Sequence, residues 1–168
     1  VAKLTTSDAV SHVRFGHSVA IDGDTVMVGA IGDDGACTDN PICNSGAAYV
    51  FRTSDGGATY VEVAKLTASD AAVDDYFGRS VAISGDTVVV GAHAKNFGRG
   101  AVYVFRTSNG GATYGQVAKL TAADAASNDY FGISVAIDGN TIVVGAYGAG
   151  TSGAVYVFRT TDGGATYD

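Results

Sequence analysis

Short apolar runs recur along this chain, each bounded by Gly, Asp, Ser or Thr. Val19-Ala20-Ile21 and Val26-Met27-Val28 are separated by Asp22-Gly23-Asp24, where the glycine supplies the positive φ of a tight hairpin turn. The same pair of runs returns around Ser84-Gly85-Asp86 and around Asp138-Gly139-Asn140. A third run, Ala101-Val102-Tyr103-Val104-Phe105-Arg106 in its middle copy, is rich in β-branched and aromatic residues that suit a pleated surface. A fourth is expected to begin at each Ala-Thr-Tyr and continue through the next Val-Ala-Lys-Leu-Thr. In Val102–Phe105 both sides of the pleat carry bulky side chains, whereas a sheet with one wet face alternates apolar and polar. Such sheets need cover on both sides.

The runs belong to a repeat, which is the strongest signal in the sequence. Units begin at Val1, Val63 and Val117 and span residues 1–62, 63–116 and 117–168 of a single repeat domain. Each opens Val-Ala-Lys-Leu-Thr and then carries Phe15-Gly16, Phe77-Gly78 or Phe131-Gly132 at the same offset. Gly29-Ala30, Gly91-Ala92 and Gly145-Ala146 follow at equal spacing. Length differences sit in one place per unit, the loops 31–46, 93–100 and 147–153, as expected of exposed loops on a fixed scaffold. The chain opens inside one fourth strand, Val1-Ala2-Lys3-Leu4, and its last residues start another at Thr166-Tyr167-Asp168. These half strands are expected to pair within the chain or with neighbours, since unpaired they leave adhesive sheet edges.

Composition sharpens this picture. Of 17 acidic residues only Glu62 is Glu, and Asp favours turns where Glu favours helix. The net charge of −7 excludes nucleic acid as a partner, because phosphate backbones need clustered cations. No apolar run is long enough for a membrane-spanning helix, so no membrane insertion is expected. No basic-then-apolar leader and no initiator Met are seen, so the chain reads as a processed product or a segment of something longer.

Phe-Gly-x-Ser-Val-Ala-Ile, the Gly turn, Val-Val-Gly-Ala and Gly-Ala-x-Tyr-Val-Phe, present in all three units, resemble the FG-GAP repeat of integrin α-subunit propellers and of many secreted proteins. The resemblance implies an all-β fold of three four-stranded antiparallel propeller-type blades, either an incomplete propeller or part of a longer array. A β-trefoil or β-prism with three-fold repetition is the alternative. A second motif, Thr53-Ser54-Asp55-Gly56-Gly57-Ala58-Thr59-Tyr60, is similar to an Asp-box, with Asn109 and Asp162 at the Asp55 position in the later units. Its carboxylate or amide is expected to cap the hairpin amides, a structural role that carries no sialidase activity with it. The calcium loop of some FG-GAP units is replaced here by a short turn, so calcium is not carried over.

Candidate chemistry is sparse. Cys37 and Cys43 cannot by themselves complete a zinc shell, and a local disulfide in an oxidising compartment is the preferred reading. Asp33, Asp34 and Asp39 in the same loop are weighed as a weak calcium cradle against a solvated polar loop, the latter preferred; no cofactor and no metal site are expected. His12, His17 and His93 are too scattered for a triad, and His17 falls where the other units have Arg79 and Ile133. Arg52, Arg106 and Arg159 are repeat equivalents, not the cluster a sialidase needs, and the many Asp sit at repeated turns. No catalytic residue and no enzymatic activity are expected. Tyr49, Tyr103 and Tyr156 read as framework anchors, while Asp75-Tyr76 and Asp129-Tyr130 are weighed as a sugar-stacking surface.

The preferred function is an extracellular, secreted or cell-surface structural and adhesive module that assembles with itself, head to tail, into a ring or filament by strand completion and blade stacking. The alternative is a propeller that binds glycans or extracellular proteins through the variable loops.

Overall fold

The structure, a computed structural model, describes residues 1–8, 11–36, 43–164 and 166–168. Its strands are β1 (Phe15–Asp22), β2 (Thr25–Ala30), β3 (Ala47–Arg52), β4 (Val61–Leu66), β5 (Ser80–Ser84), β6 (Thr87–Ala92), β7 (Ala101–Arg106), β8 (Gly115–Leu120), β9 (Ser134–Asp138), β10 (Thr141–Ala146) and β11 (Ala154–Arg159). One helical turn, α1 (Lys95–Gly98), interrupts them, and Asn96 and Phe97 inside it have left-handed φ. Three antiparallel sheets result, ordered β1-β2-β3-β4, β5-β6-β7-β8 and β9-β10-β11. The first strands lie side by side, β1 against β5 and β5 against β9, so the sheets stand next to one another as blades do about an axis.

The turns follow from the residues. Asp22 pairs with Thr25 across a two-residue reversal in which Gly23 has φ +52°, and Gly85 and Gly139 repeat it. The pairing of third with fourth strand carries a bulge in both full blades, between Val50 and Phe51 and between Val104 and Phe105. The fourth strands start at Val61 and Gly115, after the Ala-Thr-Tyr expected to open them. That segment is held instead in the turn below it, where its amides bond side chains and not a neighbouring strand.

Two packed interfaces form the core. Between the first and second blades, Met27 and Val50 meet Val88, Val90 and Tyr103, with Leu66 at the end of β4 and Phe77 of the connecting segment wedged between them. Between the second and third, Val89, Val102 and Val104 meet Ile142 and Val144 around Leu120 and Phe131. The wedge phenylalanines Phe77 and Phe131 are fully buried, and each meets two rings of its own blade at steep angles. A smaller half-interface on the far side of the first blade gathers Leu4, Val13 and Phe15 against Val28, Tyr49 and Phe51.

The expectation of sheets covered on both faces holds for the middle blade, where all six residues of β6 are buried. It fails in the third blade: in β11 Val155 is 68% and Val157 54% exposed. The N-terminal half strand also departs from expectation, since residues 1–6 form no strand. A strand exists only where a neighbour meets its amides and carbonyls, and no strand lies beside this segment. At the other end Asp168 exchanges two backbone hydrogen bonds with Arg159, the place that Val61 and Gly115 hold opposite Arg52 and Arg106.

Candidate functional site

Two kinds of contact tie one blade to the next, a third ties a blade to the segment that leads into it, and each comes from a repeated motif. The first lies near the axis. Ser18 Oγ donates to the Gly78 carbonyl at 2.8 Å and Ser80 Oγ to the Gly132 carbonyl at 2.8 Å, so the serine of each Phe-Gly-x-Ser grips the glycine of the next. This approach needs a bare backbone, because a Cβ on Gly29 or Gly91 would collide with those same carbonyls.

The second contact lies at the Asp-box turns. Asp55 accepts from Thr53 Oγ1, the Thr59 amide and Thr59 Oγ1 at 2.7, 2.9 and 2.6 Å, which holds its carboxyl well below the usual range. Asn109 accepts from the Thr113 amide and Asp162 from the Thr166 amide in the same way. Against the turn so formed lies an arginine of the preceding blade: Arg52 packs on Gly111 and Arg106 on Gly164.

The third is a Tyr–Asp–Lys constellation on the outer strands. Tyr49 donates to Asp8 and Asp33 at 2.7 Å each, and Lys65 pairs with the same two carboxylates at 2.6 and 2.9 Å. Tyr103 donates to Asp70 at 2.6 Å, and Lys119 pairs with Asp70 at 2.6 Å. Burial raises the Asp70 pKa, but Lys119 and Tyr103 outweigh it and bring the carboxyl down to about 2. Burial first, then the adjoining carboxylates, push Tyr49 and Tyr103 well above the ordinary phenol value.

The loops at one end carry the remaining side chains of interest. Tyr76, His93, Tyr130 and Tyr147 form a ladder with ring centroids 5.8, 5.8 and 5.1 Å apart. Beside it a cleft of about 540 Å³ is lined by Val73, Asp74, Tyr76, Phe97 and Tyr130, and Phe97 is 90% exposed. Below its rim Lys95, buried, pairs with buried Asp75 at 2.7 Å and also donates to the Asp70 carbonyl. Burial leads in pushing the His93 imidazole down to about 4, with Arg79 and His17 adding to it.

Several expected site residues are engaged within the fold. Asp33 is taken up by Gly35, Tyr49 and Lys65, and Asp34 by the amides of Cys43 and Asn44 at 2.7 and 2.5 Å. Asp39 and Cys37 lie outside the described residues; Cys43 is fully buried. Among the described residues no group of three His, Cys, Asp or Glu side chains could hold a metal ion. His17 Nε2 meets Arg79 at 2.6 Å, and this pair lies close enough to His93 to help depress its pKa, while His12 sits in a separate loop. The Tyr–Asp–Lys constellation escaped sequence reading, although its signal was present: Asp8, Asp70 and Asp124 follow each Val-Ala-Lys-Leu-Thr at one spacing.

The motifs that make these contacts are those of a known family. The FG-GAP repeat model matches residues 1–51, 60–105 and 114–158. The chain belongs to the FG-GAP repeat family. Its fold is thereby a β-propeller-like array of FG-GAP repeats, here in sheets of four, four and three strands. No curated protein matches. Among solved structures, Sqt1 of Saccharomyces cerevisiae superposes with a TM-score of 0.56 at 13% identity over 94% of this chain, a likeness of fold alone. The chain spans 34% of that protein's length. Among the described residues no helix is long and apolar enough to cross a membrane.

Proposed function

We propose that this FG-GAP chain is an extracellular structural and adhesive module that stacks head to tail with further copies of itself and has no catalytic site of its own. One observation carries the reading: among the described residues both halves of the inter-blade contact recur without a counterpart, one on the outer face of the third blade and one on that of the first. On the third blade, Ser134 and Arg159 occupy the positions of the gripping serine and the reaching arginine, and among the described residues no further sheet lies against them. Gly145 keeps the bare backbone of Gly29 and Gly91, yet only residues of its own repeat lie against it. On the first blade Gly16 and Gly57 are the uncovered counterparts of Gly78 and Gly111. Val155 and Val157 on one end and Phe15 on the other supply the apolar area, each valine gaining about 1.5–3 kcal/mol on full burial. A contact of this handedness between copies is heterologous and builds a ring or a filament.

The test is the mass and shape of the native particle, by light scattering and electron micrographs. Large species are expected, and Val157→Asp is expected to return them to a folded 16.9 kDa monomer. A wild-type chain that stays a 16.9 kDa monomer at every concentration overturns the reading.

A second reading is favoured by the aromatic ladder: a glycan or extracellular protein ligand docks on the loop end around Tyr147, which is 64% exposed, and Phe97. Retention on a glycan array that Tyr147→Ala and Phe97→Ala abolish supports it, and an array with no retained glycan speaks against the sugar.

A further inference from the structure

One buried ion pair serves none of the repeated contacts described above. Lys95 and Asp75 are 4% and 3% exposed, and they meet at 2.7 Å between Nζ and Oδ2. Lysine is almost never buried this far, and desolvating both charges offsets much of their attraction. The blade does not need the lysine there. In the third blade Asp129 precedes Phe131 as Asp75 precedes Phe77, is also buried, and accepts the Ala126 amide as Asp75 accepts the Ala72 amide. The place of Lys95, however, is taken by Ala149, whose carbonyl receives the Gly153 amide as that of Lys95 receives the Gly100 amide. In the first blade the same two places hold Val13 and Asp33. Of the three blades, the middle one alone brings an amine and a carboxyl together.

The groups around the pair are those that an acyl transfer between them requires. A hydrogen bond of this length holds the nitrogen near the separation of about 3–3.5 Å at which a nucleophile is poised on a carbonyl carbon. Lys95 Nζ also donates to the Asp70 carbonyl and lies 3.6 Å from the Asp70 carboxylate. Hydrogens committed to these two leave the lone pair of a neutral amine facing Asp75. Asp70 is itself gripped by Tyr103 and Lys119 at 2.6 Å each.

We infer that Lys95 and Asp75 condense into an amide within the chain, joining Nζ to Cγ and releasing one water. Burial leads in raising the Asp75 carboxyl above its usual range, with Lys95 and the Ala72 amide pulling against it and Asp70 adding to it. Passing one proton from Nζ to Oδ2 along their hydrogen bond gives a neutral amine and a neutral acid, the forms a dry site favours. As the nitrogen adds to Cγ, Asp70 takes a second proton from it and hands that proton to Oδ2. Oδ2, now carrying both protons, leaves as water, and Oδ1 stays as the amide oxygen. No oxidant, cofactor or second substrate is consumed. The step happens once per chain and turns over nothing. Its product ties the loop after β6 to the segment that wedges between the first and second blades, 20 residues back along the chain. Each chain makes its own tie, whether or not copies stack.

The experiment is mass spectrometry of the full chain, reduced and denatured. The wild type is expected to weigh one water less than its sequence. Trypsin is expected to spare the bond after Lys95 and to release residues 66–79 joined to residues 80–99 as one branched peptide, whose fragment ions place the link between Asp75 and Lys95. Lys95→Met and Asp75→Ala are each expected to restore the full mass, and Lys95→Arg to do so while keeping the positive charge. Asp70→Asn keeps both reactants and removes the base, so closure in freshly made chain is expected to slow about a hundredfold, read as the open fraction over time. A wild-type chain of full mass that trypsin cuts after Lys95 overturns the inference and leaves a plain ion pair. One water lost instead to a succinimide at an Asp-Gly turn such as Asp22-Gly23, with the bond after Lys95 still cut, overturns it too. Both wild-type readings stand even if a substituted chain fails to fold.

Discussion

The middle blade and the two end blades are built from nearly the same words, yet they are different physical objects. Val102–Val104 and Val155–Val157 both read Val-Tyr-Val, but the first set is fully buried and the second leaves both valines exposed. Phe77 and Phe131 are wedges between two sheets, while Phe15 packs on one sheet only. A repeat of this kind cannot bury both faces alone, so its stability is that of the interfaces it shares. The end blades are therefore the weaker parts and also the parts with surface to offer.

The comparison breaks most readily at the wedge. Phe77→Ala is expected to cost about 3–5 kcal/mol and Phe15→Ala only about 1–2 kcal/mol in urea denaturation of dispersed chains, since the former leaves a closed cavity and the latter an open notch. Equal losses would mean that the first blade is covered as fully as the second. Next in size is the glycine at the close approach. Gly91→Ala is expected to cost about 1–3 kcal/mol by forcing Gly132 away, whereas Gly145→Ala barely moves the thermal midpoint and acts on association instead. A calorimetric scan of both variants at low concentration checks this.

The tyrosines sharpen the contrast further. Tyr103→Phe leaves a carboxylate short of a hydrogen bond in a part-buried site and is expected to cost about 1–2 kcal/mol, against a few tenths for Tyr156→Phe, by chemical denaturation. The smallest effect is on pH dependence, again confined to the middle of the molecule. His93 titrates near 4 when folded against an ordinary 6.5, so the unfolded chain binds more protons between these values. Stability from this group is fully present above pH 6.5 and falls as pH drops towards 4. Asp70, folded at about 2 against 3.8, adds a second loss as pH falls from 3.8 to 2. Midpoints measured from pH 8 to pH 2 should show both limbs, and His93→Asn should remove the upper one.

Local spacing was enough to read much of this. The hairpins with Gly23, Gly85 and Gly139, the third strands and the Asp-box turns are each decided within a dozen residues, by a glycine's access to positive φ and by side chains reaching nearby amides. So was the family, because Phe-Gly-x-Ser repeats at fixed intervals. The constellation of Tyr103, Asp70 and Lys119 is another matter. Its members come from three separate segments, and only the packing of a connecting segment against the outer strands brings them together. Whether Val1–Thr5 is a strand was equally beyond local reading, since identical letters form β4 and β8 where a partner strand lies alongside and no strand where none does. The sequence by itself determined the blade and its turns, because those rest on neighbours along the chain. Which faces and edges are left open was decided by the tertiary structure, because burial and strand pairing depend on what stands next to each blade in space.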